Sequence, residues 1–446
     1  MSHDETWIGE MLLRRRNIKD LESIETGNNV VVAGWIKKIK KVGKRLIFII
    51  VSDITGDVQL TAKDERALET RSLKLTRHTF VLAKGKLRRG LSKKMDEILL
   101  ERLCILGERA VPLPIDVDEE KTSLSKSLDY RWLSLRNRKR VFPLLLLSDF
   151  MKYSREFFYK ENFVEIFTPK LMSAPSESGA EVFEVAYFDR KAYLAQSPQF
   201  YKQMAICSGF ERVFEIGPVF RANPSFTSRH DTEFTSLDVE MAYIPSHHFI
   251  MDFEEKWLAY VLKKIADEHG DRIEREYGCI VQVPKRIPRI KMEEVYEIVT
   301  KECIRDNGDL RPEGERQLSK YVKETYDSDF VFVVDYPYSA RPFYHMKGDR
   351  MKDGRETTKS FDLIYRGVEI TTGAQREHRY RTLVKQAIEK GLNIENLKFY
   401  LEFFKYGAPP HGGFGFGPTR FIMQLLDLKD VRRATFIPRD PSRLLP

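Results

Sequence analysis

Short apolar stretches alternate with turn-forming polar residues along the first 110 residues of the chain. The apolar stretches are rich in β-branched side chains, which favour strands over helices. This pattern predicts five strands, over residues 30–36, 45–52, 57–62, 80–86 and 97–106. Five short strands with turn signals between them indicate a small closed β-barrel.

A proline-containing segment ends this pattern. Pro112 and Pro114 lie two residues apart, and neither a strand ladder nor a helix continues through such a pair. We therefore predict a linker over residues 109–128, between a first domain at 1–108 and a second domain at 129–446.

The second domain mixes helical and strand-like patterns. Apolar periodicity predicts helices over residues 137–161, 246–269, 376–390 and 394–404. Strands are predicted over residues 163–168, 212–220, 234–243, 330–335 and 361–371. Strand pairs joined by hairpin-like loops, with helices between them, indicate an α+β domain built on an antiparallel β-sheet flanked by helices. Residues 246–328 are predicted to form a helical insertion in this domain.

Composition excludes several classes of protein. The chain has 446 residues, of which 42% are hydrophobic and 32% charged, as in globular proteins with two or three domains. Its longest apolar stretch is far shorter than the ~20 residues that cross a bilayer, and the N-terminus has no secretory-signal pattern. Four scattered cysteines without a CxxC pair argue against disulfides and zinc ribbons. The sequence predicts a soluble cytoplasmic protein.

Positive charge is concentrated in the first quarter of the chain. Residues 1–110 carry 23 basic and 15 acidic side chains, a net charge of +8, whereas the other 336 residues carry +1. Two basic runs, KKIKKVGKR at 37–45 and KGKLRRGLSKK at 84–94, account for most of this excess. A solvated lysine-rich surface would explain one such run, but two in one small β-rich segment favour binding of a polyanion. The predicted barrel is therefore a candidate oligonucleotide-binding (OB) fold.

Three segments of the second domain contain candidate chemistry. The first, residues 213–241, is a strand ending at Arg221, a polar loop with Arg229 and His230, and a returning strand. Guanidinium groups match phosphate oxygens, so we predict a phosphate clamp in this hairpin.

The other two segments lie nearer the C-terminus. In residues 411–420, HGGFGFGPTR, the glycines allow close approach to a flat ligand, with Arg420 and an apolar helix following. In residues 368–378, Glu369 and Thr372 are three positions apart, and their oxygens could hold Mg²⁺ against substrate phosphates. A plain strand end would explain this last segment if it stood alone.

Together the three segments resemble the signature motifs of class II aminoacyl-tRNA synthetases. Motif 1 corresponds to the helix and strand that end at Pro169, motif 2 to the Arg221 hairpin, and motif 3 to the glycine-rich segment with Arg420. The resemblance narrows to aspartyl-tRNA synthetases of the archaeal and eukaryotic kind and covers nearly the whole chain. The strings that narrow it are QSPQFYKQ (196–203), SARPFY (339–344), GVEITTGAQREH (367–378), YGAPPHGG (406–413) and PRDPSRLLP (438–446).

The resemblance implies a two-step reaction. L-Aspartate and ATP form aspartyl-adenylate, and the aspartyl group passes to the 3′ end of tRNA(Asp), and also of tRNA(Asn) in an enzyme that does not discriminate between them. The implied catalytic residues are Arg221, Glu369 and Arg420, with Mg²⁺ held by Glu369 and Thr372. The implied aspartate-binding residues are Glu177, Gln199, Lys202, Arg221, Asp238, Thr372 and Arg376. The implied ATP-binding residues are Arg221, Ala222, Asn223, Arg229, His230, Asp231, Glu369, Gly417, Pro418, Thr419 and Arg420.

Lys202 and Arg376 are expected to face the side chain of the bound aspartate. Two cations give a physical reason to select aspartate over asparagine, because a neutral amide would leave buried positive charge unpaired.

The resemblance also implies macromolecular partners. The barrel would bind the tRNA anticodon, with Phe48 stacking on a base and Gln59 reading a base edge, although Phe48 could equally be a core residue. Motif 1 would form the interface of a homodimer.

Four positions depart from the family pattern: Asn223 replaces a glutamate, Thr419 an acid, Thr372 a serine and Ser178 a glycine. Two alternatives therefore stay open. One is a divergent paralogue that passes the aspartyl group from its adenylate to an acceptor other than tRNA, and the other is a catalytically silent tRNA-binding protein. The basic barrel favours tRNA over the first alternative. Four retained residues argue against the second: Arg221, Glu369, Arg376 and Arg420.

Overall fold

A computed structural model describes residues 3–89, 95–118, 122–175, 181–224 and 227–446. The chain divides into two compact units, residues 1–141 and residues 142–445. This division falls inside a helix, so the linker at 109–128 and the domain bounds given above stay predictions.

The first unit contains a closed five-stranded barrel. Its strands are β1 (Asn29–Val42), β2 (Leu46–Ser52), β3 (Asp57–Lys63), β4 (Phe80–Arg88) and β5 (Glu97–Ile105). The barrel closes in the order β1-β2-β3-β5-β4, with β3 and β5 parallel and the other neighbours antiparallel. Alternate residues of β2, namely Ile47, Ile49 and Val51, belong to the barrel core. The predicted OB-fold barrel is confirmed.

Short helices accompany the barrel. They are α1 (His3–Leu13), α2 (Asp64–Ser72), α3 (Leu124–Asp129) and α4 (Arg131–Ser134). Helix α1 was not predicted from the sequence, and its Met11 packs with Val31 and Leu82.

The second unit is built on one large sheet. Its main helices and strands are α5 (Arg138–Lys160), β6 (Val164–Glu165), α6 (Gln199–Cys207), β10 (Arg212–Phe220), β11 (Glu233–Ala242), α7 (His247–Tyr277), β13 (Phe330–Val334), β16 (Ser360–Tyr365), β17 (Val368–Gln375), α10 (Tyr380–Glu389), β18 (His411–Phe416) and α12 (Pro418–Leu425). Smaller elements are β7 (Leu171–Met172), β8 (Glu184–Tyr187), β9 (Arg190–Leu194), β12 (Arg289–Lys291), α8 (Met292–Ile298), α9 (Pro312–Tyr326), β14 (Lys347–Arg350), β15 (Glu356–Thr358) and α11 (Lys398–Glu402).

The eight strands of the large sheet follow the order β12-β13-β16-β17-β18-β11-β10-β6. The five inner pairings are antiparallel, as predicted, whereas the outermost pairs β12/β13 and β10/β6 are parallel. The sheet is therefore mixed at its edges. Aromatic side chains from two helices pack on one face: Phe150 of α5 stacks on Phe416, and Trp257 of α7 stacks on Phe414. The opposite face of the central strands is left to form the site.

Several predicted elements differ in extent. The single strand predicted over residues 361–371 is a hairpin of β16 and β17, turning at Arg366 and Gly367, which both have positive φ. The predicted strand 163–168 pairs only over Val164–Glu165, and α7 continues beyond residue 269 to Tyr277. Apolar content alone does not show where a long apolar run reverses direction, which explains the missed turn at residue 366.

Candidate active site

A cavity of about 290 Å³ opens over the centre of the large sheet. Most predicted site residues line it: Gln199, Arg221, Asn223, Arg229, His230, Asp231, Asp238, Glu369, Thr372, Arg376, Gly417, Thr419 and Arg420. Three others, Lys202, Ala222 and Pro418, are not among the lining residues, and Glu177 lies outside the described residues. One structure thus brings motif 2, motif 3 and the β17 segment to a single cavity.

Lys202 is completely buried beneath one end of this cavity. Its Nζ lies 2.9 Å from Oδ1 of Asp238 and 3.5 Å from Oε2 of Glu240. Arg376 is also buried, and its Nε lies 3.0 Å from Oε1 of Glu240. Both cations are therefore paired before any substrate binds. Two buried carboxylates balance the two cations in the absence of substrate, and the expectation that these cations select aspartate over asparagine stays a prediction.

Glu240 is the residue at this end that the sequence analysis missed. Burial alone would raise the pKa of Glu240, but the nearby Arg376 and Lys202 outweigh it and hold the pKa below its ordinary value. A signal was available: Glu240 stands two positions after Asp238 on β11, on the same face of the strand.

The other end of the cavity is rich in arginine. Arg420 donates from Nε to the carbonyl oxygen of Arg229 at 3.1 Å, and its Nη1 lies 3.9 Å from Oε1 of Glu369. Arg229 pairs with Glu315 of α9, Nη1 to Oε2, at 3.0 Å. Arg221 is exposed at the end of β10, with its guanidinium carbon 5.6 Å from the centre of the Phe234 ring. Three arginines therefore line one space at this end of the cavity, and their role as a phosphate clamp stays a prediction.

Two residues of the motif 2 loop have shifted pKa values. Burial, together with the positive charges of Arg420, Arg229 and Arg221, lowers the pKa of His230 to about 4. Burial raises the pKa of Asp231 to about 6, although a hydrogen bond from the Thr435 hydroxyl opposes this shift. His230 is consequently neutral at pH 7, and the arginines supply the positive charge of this end.

Oxygen ligands for a divalent cation converge beside the arginines. The Thr372 hydroxyl donates to Oε1 of Glu369 at 3.1 Å. Burial would raise the pKa of Glu369, but Arg420, Arg341 and Arg221 outweigh it, so this pKa is lowered and the carboxylate is ionised. An ionised carboxylate beside a hydroxyl, half-exposed to the cavity, fits Mg²⁺, which prefers oxygen ligands.

Asp362 is a second carboxylate at this position that the sequence analysis missed. It pairs with Thr372 across β16 and β17, so both side chains lie on one face. Burial raises the pKa of Asp362 to about 7, Arg341 opposes this rise, and the charge of Glu369 adds to it. Its signal was a carboxylate inside the otherwise apolar strand SFDLIY.

The glycines in and just after β18 have two different roles. A Cβ on Gly413 would lie 1.9 Å from the carbonyl oxygen of Val239, so this glycine permits the close approach of the neighbouring strand. Gly415 and Gly417 line the cavity, and a Cβ on Gly415 would meet Oδ1 of Asp238 at 3.1 Å. Only Gly415 and Gly417 fit the predicted close approach to a ligand.

Three of the four departures from the family pattern also lie at the cavity. Asn223 and Thr419 line it, and Pro418 occupies the first turn of α12, where its missing N–H needs no partner. Thr372 keeps a hydroxyl, and Ser178 lies outside the described residues.

The two predicted anticodon residues lie on the outer face of the barrel. In β2 the buried residues are 47, 49 and 51, and Phe48 between them is half-buried and absent from the barrel core. Phe48 pairs with Lys40 on one side and Thr61 on the other, and Gln59 is half-buried on the same strand as Thr61. The core alternative for Phe48 is therefore wrong, and this face carries an aromatic ring, an amide and lysines together.

Within the described residues, no helix is long and apolar enough to cross a membrane. The four cysteines are all unpaired.

Comparison with known proteins identifies the family. Residues 123–441 match the family "tRNA synthetases class II (D, K and N)", and residues 30–103 match the "OB-fold nucleic acid binding domain". The chain belongs to the class II tRNA synthetases, and it is an aminoacyl-tRNA synthetase with an OB-fold domain at its N-terminal end.

Individual relatives within this family show which kind of tRNA synthetase the chain resembles. The chain is 45% identical to the aspartate–tRNA(Asp/Asn) ligase of Aeropyrum pernix, covering 98% of this chain and 100% of that protein. It is 40% identical to the aspartate–tRNA(Asp) ligase of Pyrococcus abyssi, with the same coverage. Among solved structures, the asparaginyl-tRNA synthetase of Pyrococcus horikoshii complexed with asparaginyl-adenylate has a TM-score of 0.87 at 30% identity, covering 97% of this chain and 99% of that one. The resemblance to aspartyl-tRNA synthetases is confirmed.

Proposed function

We propose that this protein activates L-aspartate with ATP to aspartyl-adenylate and transfers the aspartyl group to the 3′ end of tRNA(Asp). The observation that carries the proposal is the balanced charge at the Lys202 end of the cavity, beside the three arginines at the other end. Archaeal relatives named aspartate–tRNA ligases support it.

Aspartate can exchange partners with the charges already present. Its ammonium group would take the Asp238 carboxylate, and that exchange would leave Lys202 with one charge partner fewer. The β-carboxylate would then pair with Lys202 and Arg376, so that each charge keeps a counter-charge. Asparagine would bring the same ammonium but no second carboxylate, leaving buried positive charge uncompensated. Selectivity for aspartate over asparagine thus follows from this exchange of ion-pair partners, and not from cations that are unpaired in the absence of substrate.

The arginine end suits displacement at the α-phosphorus of ATP. Such a reaction needs positioning and charge neutralisation more than covalent help from the protein. Arg221 would hold the α-phosphate, and Arg229, His230 and Arg420 the outer phosphates, with His230 acting as a neutral hydrogen-bonding group because its pKa is about 4. The aspartate α-carboxylate attacks the phosphorus, and pyrophosphate leaves.

Glu369 and Thr372, with Asp362 paired opposite Thr372 on the neighbouring strand, would hold Mg²⁺. When bound, this ion neutralises charge on the phosphate oxygens. The protein's own part is to keep the Glu369 carboxylate ionised, which the three neighbouring arginines do.

The barrel is the proposed anticodon site. Phe48 offers a ring for a splayed base and Gln59 an amide for a base edge, while Lys38 and Lys40 of β1 supply charge for phosphates. A second candidate acceptor is tRNA(Asn), because the Aeropyrum pernix and Methanopyrus kandleri relatives are named aspartate–tRNA(Asp/Asn) ligases.

We further propose a cytoplasmic homodimer. Apolar side chains are exposed along motif 1, at Tyr159, Val164 and Phe167, and just beyond it at Leu171, and Phe167 is 81% exposed. A second copy of the chain would cover this surface.

The test is aspartate-dependent exchange of pyrophosphate into ATP without tRNA, on the wild type and on Arg221→Ala. We expect exchange with aspartate in the wild type and its loss in the variant. Exchange that needs no aspartate, or that is faster with asparagine than with aspartate, contradicts the proposal.

A further inference from the structure

His345 is a buried histidine in direct contact with Arg376. Its side chain is 1% exposed, and its Nε2 lies 3.1 Å from Nη1 of Arg376. The residue follows the string SARPFY and belongs to the lining of the cavity, but the sequence analysis gave it no role.

The backbone fixes His345 from two sides. It forms an antiparallel bridge with Arg376 itself, and its carbonyl oxygen accepts a hydrogen bond of 2.9 Å from Nε2 of Gln386 in α10. The ring therefore stands at a fixed place beside the guanidinium group, independently of any substrate.

Chemistry decides which form the ring takes. A guanidinium group only donates hydrogen bonds, so Nε2 of His345 must accept and the proton must lie on Nδ1. Burial and the positive charges of Arg376 and Arg341 hold the pKa of His345 well below its ordinary value, so the ring stays neutral. Among the described residues, no partner accepts from the buried Nδ1.

We propose that His345 is a positioning residue that orients Arg376 toward the side chain of the bound amino acid. This inference rests on the proposed function, in which Arg376 meets the β-carboxylate of aspartate. Arg376 is held by Glu240 on one edge, by the carbonyl oxygen of Gly413 at 3.1 Å, and by His345 at Nη1. Glu240 supplies the counter-charge, and His345 supplies a neutral acceptor that fixes direction without neutralising the guanidinium.

A neutral acceptor at this position has a specific consequence. A carboxylate in place of His345 would pair with Arg376 and compete with the substrate for its charge, and a cation would repel it. The imidazole does neither. It therefore fixes the direction of the Arg376 guanidinium group without changing the charge that this group offers to the substrate. The unpaired Nδ1–H lowers stability, and a buried polar group kept in spite of that is typical of functional sites.

The experiment compares two amide variants that differ by one methylene group. In His345→Gln the amide oxygen reaches the position of Nε2 and can accept from Arg376, whereas the shorter side chain of His345→Asn cannot. Pyrophosphate exchange gives KM for aspartate and for ATP separately, with asparagine as the competing substrate. His248→Ala, an exposed histidine on α7 outside the cavity, is the control.

We expect His345→Asn to raise KM for aspartate about tenfold, with KM for ATP within about twofold of the wild type, and to lower the preference for aspartate over asparagine. For His345→Gln, the KM for aspartate and the preference for aspartate over asparagine should both stay within about threefold of the wild-type values. Equal KM values for aspartate in the two variants, or equal increases in both KM values, would overturn the inference. A wild type without aspartate-dependent exchange would instead refute the proposed function, so the two failures are distinct.

Discussion

Lys202 and Asp238 form a buried ion pair, with Nζ and Oδ1 2.9 Å apart, at the end of the cavity where aspartate is proposed to bind. Lys202 comes from α6 and Asp238 from β11, so the pair also ties that helix to the central sheet. A buried pair of this kind is destabilised strongly when one partner alone is removed.

Lys202→Met should lower the free energy of unfolding by about 3 kcal/mol, because it leaves the Asp238 carboxylate buried without its cation. Adding Asp238→Asn should recover part of that stability but none of the aspartate activation, since both substrate-binding charges are then gone. Chemical denaturation of the two single variants and the double variant measures the coupling. Strictly additive stability losses would show that the ion pair is not coupled.

Glu315 joins the motif 2 loop to β17. Its Oε2 accepts from Nη1 of Arg229 and from the backbone N–H of Glu369, each at 3.0 Å. We expect Glu315→Gln to raise KM for ATP about tenfold and to leave KM for aspartate nearly unchanged, because only the phosphate end loses its support. Glu313→Gln, an exposed acid on the first turn of the same helix, is the matched control. An equal effect of both variants would refute this role.

Glu254 should make stability depend on pH. Burial raises its pKa to about 8, although its Oε1 accepts a hydrogen bond of 2.6 Å from Thr371. The folded protein therefore binds a proton more tightly than the unfolded chain between pH 4.5 and 8, so the stability from this group falls as pH rises through that window. Glu254→Gln should remove this pH dependence. The free energy of unfolding of the variant, relative to that of the wild type, should therefore be about 3 kcal/mol higher at pH 7 than at pH 4. The measurement is the unfolding free energy at several pH values.

The control for this prediction is Glu274→Gln, an exposed position on the same helix, which should leave the slope unchanged. A parallel pH dependence in the wild type and Glu254→Gln would show that Glu254 is ionised in the folded protein.

Phe48→Ala should reduce kcat/KM for tRNA charging about tenfold or more, since stacking on an aromatic ring contributes about 1–3 kcal/mol per base. Pyrophosphate exchange without tRNA should be unchanged, because the barrel takes no part in adenylate formation. Tyr326→Ala, which changes an exposed aromatic residue on α9, should leave charging intact. Loss of exchange in Phe48→Ala, or unchanged charging, would contradict the anticodon role.

Local patterns predicted much of this molecule and failed at identifiable places. The strand β2 was readable from its β-branched apolar run, but its buried face was not, because residues 46–51 are all apolar. Only the structure shows the alternation that places Phe48 outside the core. The pairing of Arg376 with Glu240 and of Arg341 with Asp362 was not readable, because each partner is more than 20 residues away and the sheet order brings them together. The parallel pairing of the edge strands was not predicted either. The partners are again distant in sequence, and β6 pairs with β10 over only two residues.

The central claim is that this chain joins aspartate to tRNA. Its most direct test is charging of transcripts of tRNA(Asp) and tRNA(Asn) with labelled aspartate, using Arg221→Ala as the inactive control. The account predicts aspartyl-tRNA(Asp) with the wild type alone, and the tRNA(Asn) transcript decides the second acceptor. Aspartate-dependent pyrophosphate exchange with neither transcript charged would contradict the account and point to an acceptor other than tRNA.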